Sequence, residues 1–149
     1  MDGSDPNAAR KAWMSMLAKS PATLLAQLWG AFVPPQHSVL RAPEIGGVMV
    51  RGRAGAVGAA FNLGEMTVTR ASIKLSDGTV GHGYVQGRDK AQALTAALID
   101  AMMQTDVAPR VQAEILTPLG NAMDQMKSTR AAKAAATKVD FFTMVRGED

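Results

Sequence analysis

The chain has 149 residues, of which 47% are hydrophobic, 19% charged and 5% aromatic, and its 16 Lys and Arg against 13 Asp and Glu leave a net charge of +3. That length suits a single domain, 1–149, able to bury a core of Leu, Val, Met and Ala without metals or disulfides. With no cysteine, structural disulfides, thiol catalysis and Cys-ligated zinc are excluded, and a reducing cytosol is the compatible compartment.

In chain order, residues 1–9 (MDGSDPNAA) are acidic and polar, lack the basic and apolar regions of a signal peptide and are expected to be disordered. No later stretch reaches the roughly 18 apolar residues of a membrane span, so a cytoplasmic protein without membrane contact is expected. Arg10 to Ala18 places Trp13, Met14, Met16 and Leu17 on a short helix. Ser20 as N-cap and Pro21 at the first helical position then start a second, through Leu24, Leu25, Leu28, Trp29 and Phe32, and Pro34-Pro35 ends it. The pair forms a helical hairpin.

Ser38 to Ala42 and Ile45 to Arg53 read as two strands, the second placing Arg51 and Arg53 on one face. Ala54 to Asn62 is a Gly-containing connection, closed by Gly64. From Thr67 to Leu75 the period is 2, with Arg70, Ser72 and Lys74 on one face and Thr67, Thr69, Ala71, Ile73 and Leu75 on the other. Asp77-Gly78 turns the chain into a further strand over Thr79 to Gly87, because Gly accepts the positive φ of a tight turn and Asp bonds its own backbone. His82, Tyr84, Gln86 and Arg88 join the polar face. Gly81, Gly83 and Gly87 fall on the buried one, where missing side chains let a helix come close.

That helix follows. Asp89 is its expected N-cap and Gln92 the partner of a capping box, ahead of an apolar series at Leu94, Ala97, Leu98, Ala101 and Met102 spaced as one helical face. Beyond Gln104, Pro109 restarts a helix and Pro118-Leu119-Gly120 is expected to break it. A last helix runs from about Ala122 to Lys138 on the high propensity of RAAKAAATK. The tail Val139 to Gly147, VDFFTMVRG, is apolar on both alternating faces and is read as an extended, partner-docking segment through Phe141, Phe142, Met144 and Arg146. The fold class is therefore α+β: an antiparallel sheet of about four strands, the helical hairpin and the helix after Asp89 on one face, and the last helix and tail extending outward.

No catalytic set emerges. Gly52, Gly55 and Gly58 have neither the Lys-Ser/Thr of a phosphate loop nor the order of a dinucleotide fingerprint, and His37 and His82 belong to no metal-ligand spacing, so no metal is assigned. No serine or threonine sits in a nucleophile motif. Between Arg41 and Lys90 seven basic residues face four acids, which concentrates positive charge on the sheet. Arg51, Arg53, Arg70, Tyr84, Gln86 and Arg88 are the candidate contacts for an anion or a partner, Arg offering its planar fork to phosphate or carboxylate. With Tyr84 as the one stacking platform and a small net charge, nucleic acid is not the expected partner.

The motifs RKAWM at Arg10 to Met14, Leu40-Arg41, GEMTVTR at Gly64 to Arg70, Asp77-Gly78-Thr79, VQGRDK at Val85 to Lys90, ALIDAMMQ at Ala97 to Gln104 and the terminal VDFFTMVRG resemble the PhnG family, the G subunit of the bacterial carbon-phosphorus lyase core complex. The resemblance covers Arg10 to Gly147. It implies a hetero-oligomer with the H, I and J subunits, a homodimer being the alternative for the isolated chain. It also implies support for a reaction in which an alkylphosphonate displaces adenine from ATP, giving alpha-D-ribose 1-methylphosphonate 5-triphosphate. In that scheme the I subunit carries the nucleosidase-like chemistry and the J subunit later cleaves the carbon-phosphorus bond. ATP and magnesium are implied for the complex, and no cofactor for this chain. One departure is Ala71, where the family often has Cys after the Thr-Arg pair, so a thiol there is not required. The alternative is a small anion-binding module that grips the triphosphate or phosphonate directly through sheet arginines.

Overall fold

The computed structural model describes the backbone of residues 5–53 and 60–146, with the side chains of Pro6, Arg53, 60–63 and 139–146 excepted. Helix α1 spans Pro6–Lys19, so residues 6–9, expected to be disordered, form its first turn. Asp5 caps it, accepting from the Asn7 N–H at 3.0 Å, and Pro6 occupies the position where a missing N–H costs nothing. Ser20 closes α1 instead of opening the next helix: its backbone N–H and its hydroxyl both donate to the Leu17 carbonyl. Helix α2, Ala22–Trp29, has Pro21 as its N-cap and ends at Gly30, so Phe32 packs from outside the helix, stacked on Trp29 at 5.8 Å.

The sheet is antiparallel with three strands in the order β1-β2-β3: β1 His37–Arg53, β2 Ala60–Leu75 and β3 Val80–Gln86. The two strands expected over 38–53 are thus one, and the count of four falls to three. Register shifts between Val39 and Arg41, and between Arg41 and Glu44, absorb Pro43, whose missing donor is tolerated because β1 is an edge strand. Part of the expected connection, from Ala60 to Asn62, is already β2; residues 54–59 lie outside the described residues. The β2–β3 turn is as expected, with Gly78 at φ 95° and the Asp77 carboxylate accepting from the Thr79 N–H at 2.9 Å. That bond holds Asp77 below the usual carboxylate range.

Helix α3, Lys90–Met102, lies on the face formed by Ala71, Ile73, Leu75 and Val85 and is the centre of the core, with Ala93, Ala96, Ala97, Ile99 and Ala101 all buried. Asp89 caps it, accepting from the Gln92 N–H at 2.9 Å. The Gln92 side chain does not complete the capping box. It is buried and donates instead to Ser20, at 2.7 Å to the carbonyl and 3.2 Å to the hydroxyl, tying α3 to the α1–α2 junction. Leu17 and Leu25 from α1 and α2, with Val111, Ile115, Leu116 and Leu119, close the core on its other side.

The break expected at Pro118 does not occur. Helix α4, Ala108–Val111, runs through a π turn over Gln112–Leu116 into α5, Thr117–Arg146. The wider π turn opens the backbone where the proline ring would meet a preceding carbonyl, and Thr117 N–H bonds five residues back to Gln112. Nor is 139–146, the described part of the expected tail, extended. With no Gly or Pro between Gly120 and Gly147 the helix simply continues to Arg146, Gly147 lying outside the described residues.

Candidate functional site

The polar sheet face is built row by row. Glu44, Arg70 and Tyr84 stand opposite one another across the three strands, and Arg41, Ser72 and His82 form the next row. The Arg70 guanidinium sits 5.5 Å above the Tyr84 ring, a cation–π contact that orients it, and Ser72 Oγ lies 2.9 Å from His82 Nδ1. Arg70, Lys74, His82, Gln86 and Arg88 are exposed and Tyr84 is half-buried.

Arg51 is elsewhere. It pairs with Asn62, seven residues along β1 from the Glu44 that faces Arg70, so at strand rise it is about 23 Å away. Because β3 pairs only with Val68 to Lys74 of β2, the outer parts of β1 and β2 run on as a two-stranded ribbon, and Arg51 rides on it. Arg53 ends β1, but its side chain lies outside the described residues, as do those of Phe141, Phe142, Met144 and Arg146 in the last turns of α5. The candidate cations therefore form two groups. The inner group gains Lys90, which sequence reading had not joined to it: Arg70, Lys90, Glu44 and the backbone of Gly46 and Gly47 border a cavity of about 540 Å³. Glu44, the Cα partner of Arg70 across β1 and β2, puts one acidic residue on the same border, without an ion pair between the two.

Sequence reading also missed the most buried charge among the described residues. Asp100, on α3, is 0% exposed and accepts four hydrogen bonds: from Arg10 Nε at 3.1 Å, Arg10 Nη2 at 2.8 Å, Trp13 Nε1 at 2.9 Å and the His82 backbone N–H at 2.9 Å. The last is an amide on the free edge of β3, so one carboxylate joins α1, α3 and the sheet. Its hydrogen bond raises the Arg10 pKa above the ordinary arginine value, against the opposing effect of burial. The available signal was an aspartate inside the apolar run ALIDAMM, since a charge in a buried stripe needs partners. Among the described residues no group of three or more His, Asp or Glu stands where it could hold a metal, and no helix is long and apolar enough to cross a membrane.

Outside the core the chain is mostly surface. The described side chains of α5 are exposed from Asp124 to Lys138, and exposed large apolar residues gather on the edge strand β1 at Val39, Leu40, Ile45 and Met49. These features define a small α+β protein whose β1–β2 ribbon and last helix present surface that its own core does not cover. Residues 8–147 match the family described as phosphonate metabolism protein PhnG. Over 144 residues the chain is 46% identical to the alpha-D-ribose 1-methylphosphonate 5-triphosphate synthase subunit PhnG of Rhizobium meliloti (strain 1021), covering 95% of this chain and 92% of that relative. The chain belongs to the PhnG family.

Proposed function

We propose that this chain is the G subunit of a cytoplasmic complex that makes alpha-D-ribose 1-methylphosphonate 5-triphosphate in organic phosphonate catabolism, and that it works with H, I and J subunits and has no activity alone. The observation that carries this reading is the 46% identity to a subunit of that synthase along nearly the whole of both chains. In the reaction a phosphonate oxygen forms a bond to ribose C1 as the C1–N9 bond of ATP breaks, and adenine leaves with a proton. ATP and magnesium belong to the assembled complex, the cation offsetting triphosphate charge. This chain's part is contact: the ribbon bearing Arg51 and Arg53, the sheet face with Arg70, Tyr84, Gln86 and Arg88, and the end of α5.

The test is coexpression of the tagged chain with its H, I and J counterparts, then pull-down and an adenine-release assay with ATP and methylphosphonate. Adenine release that needs this chain is the expected result; equal release without it would reject the proposal. In the same preparation, replacing Phe141 and Phe142 by Asp abolishes copurification, while circular dichroism of the isolated variant stays that of the parent. Unaltered assembly would remove the end of α5 from the interface.

A second reading is supported by the cavity between Arg70 and Lys90. It makes the chain a small anion-binding module that grips the triphosphate or phosphonate itself. Calorimetric binding of ATP by the isolated chain, lost in Arg70→Ala or Arg88→Ala, would favour it; no heat of binding would leave the scaffold role standing.

A further inference from the structure

Between α1 and β3 lies a cavity of about 740 Å³ bordered by Met14, Ala18 and Tyr84. At Lys19 it adjoins two more, of about 580 and 400 Å³, where Met123 and Met126 of α5 come forward. Together they make one groove running from the start of α1, past Gln86, to the root of the free part of α5. Its apolar surface is supplied by three methionines, side chains that re-pack around an incoming partner, and Met126 is 45% exposed with nothing covering it.

The rim is predominantly positive. Arg10, Lys11, Lys19, Lys127 and Arg130 border these cavities against a single carboxylate, Asp124. Arg10 is neutralised by Asp100. Lys11, Lys19, Lys127 and Arg130 form no ion pair among the described residues, so four cations surround the methionines against the one carboxylate of Asp124. A small free anion would have no use for the apolar surface, and a nucleic acid would find only Tyr84 to stack on. An apolar segment without charge would leave the four cations uncompensated.

From this complementarity we infer that the groove is the seat of an acidic amphipathic segment of another subunit, apolar side chains on Met14, Met123 and Met126 and carboxylates against Lys11, Lys19, Lys127 and Arg130. The distance along α1 from Arg10 to Lys19 is about 14 Å, which matches two and a half turns of a docked helix. The inference rests on the reading of this chain as a subunit and adds to it the chemistry of the partner. The proposed contacts of the α5 terminus and of the arginine face are separate from it.

The test uses the coexpressed complex. Lys19→Gln combined with Lys127→Gln removes two rim charges; Gln36→Glu combined with Gln112→Glu makes the same change in net charge on exposed residues away from the groove and from the other proposed contacts. The groove variant is expected to recover the partner subunits about tenfold less well, and to lose most of the salt dependence that the parent shows, while the control behaves as the parent. Denaturation curves of both isolated variants verify that the fold is kept. A tiled set of peptides covering the partner subunits, probed with the full-length chain, should bind only at acidic amphipathic stretches, and not when the groove variant is the probe. Normal recovery of partners by the groove variant overturns the groove and leaves the subunit reading intact. Failure of the parent to recover any partner overturns both.

Discussion

Asp100→Ala should lower the unfolding free energy of the isolated chain by about 3–5 kcal/mol. The carboxylate is fully buried and, from α3, holds four donors from two further elements, α1 and β3, so its removal leaves the Trp13 indole and His82 backbone N–H groups pointing into the core with nothing to bond. Each such orphan costs about 1–3 kcal/mol. Arg10 adds less, because its side chain is 33% exposed and can turn to water. Arg10→Ala should accordingly be the milder change. Asp100→Asn does not rescue the site: an amide nitrogen takes the place of one carboxylate oxygen and meets a donor with a donor. Urea unfolding followed by tryptophan fluorescence measures all three, Trp13 being itself a reporter of the bond. A loss under about 1 kcal/mol would mean that water replaces the carboxylate and that Asp100 does not anchor α1. The pH dependence follows from the raised Arg10 pKa. A base whose folded pKa exceeds its unfolded one contributes fully below the unfolded value and is lost only as pH climbs through the folded value, so this contribution is complete across neutral and mildly alkaline pH. Because α1 carries Met14, Lys11 and Lys19, loosening Asp100 should also weaken whatever docks in the groove beside β3.

Gly83→Ala should destabilise by about 3 kcal/mol or more, a large effect for one methyl group. A Cβ there would be driven into the Ala93 carbonyl oxygen and would come within 2.9 Å of the Ala97 nitrogen, and neither atom can turn away because both are helix backbone. Gly81 meets the same helix one turn on, at Ala97 and Ala101. The comparison is Gly46→Ala, where nothing lies within 4 Å of the new methyl group. There a neutral or slightly stabilising result is expected, since Ala narrows the unfolded ensemble by about 0.4–1 kcal/mol. The opposite signs of two chemically identical changes are the measurement. If Gly83→Ala unfolds at the parent's urea midpoint, α3 does not lie as close to β3 as described and the core is looser than these contacts require.

The strand alternation of Ala71, Ile73 and Leu75 against Arg70, Ser72 and Lys74, the Asp77-Gly78 turn and the Asp89 cap were legible in the sequence, because each is a local signal: a period of two, a positive φ, an amide within one turn. Gly81 and Gly83 of β3 announced a close helix for the same reason, whereas Gly87, expected on the buried face with them, is exposed beyond the strand end at φ 102° with nothing near its missing Cβ. Other features depend on residues far apart in the chain, and there local rules misled. Pro43 reads as a strand end until register shifts and an edge position make it harmless. Pro118 reads as a stop until a π turn ahead of it gives the ring room. Arg51 and Arg70 share a charge and a fold but not a site, because β3 is short and the ribbon carries Arg51 away. Asp100 finds its partners 87 and 90 residues back, and the basic groove exists only because α1 and the root of α5 meet at Lys19. The β2–β3 hairpin, the start of α3, the buried face of the sheet and, through its motifs, the family could be read from the residues alone. Which charges stand together was decided by the tertiary structure alone, since packing and register, and not spacing along the chain, set the distances over which charges act.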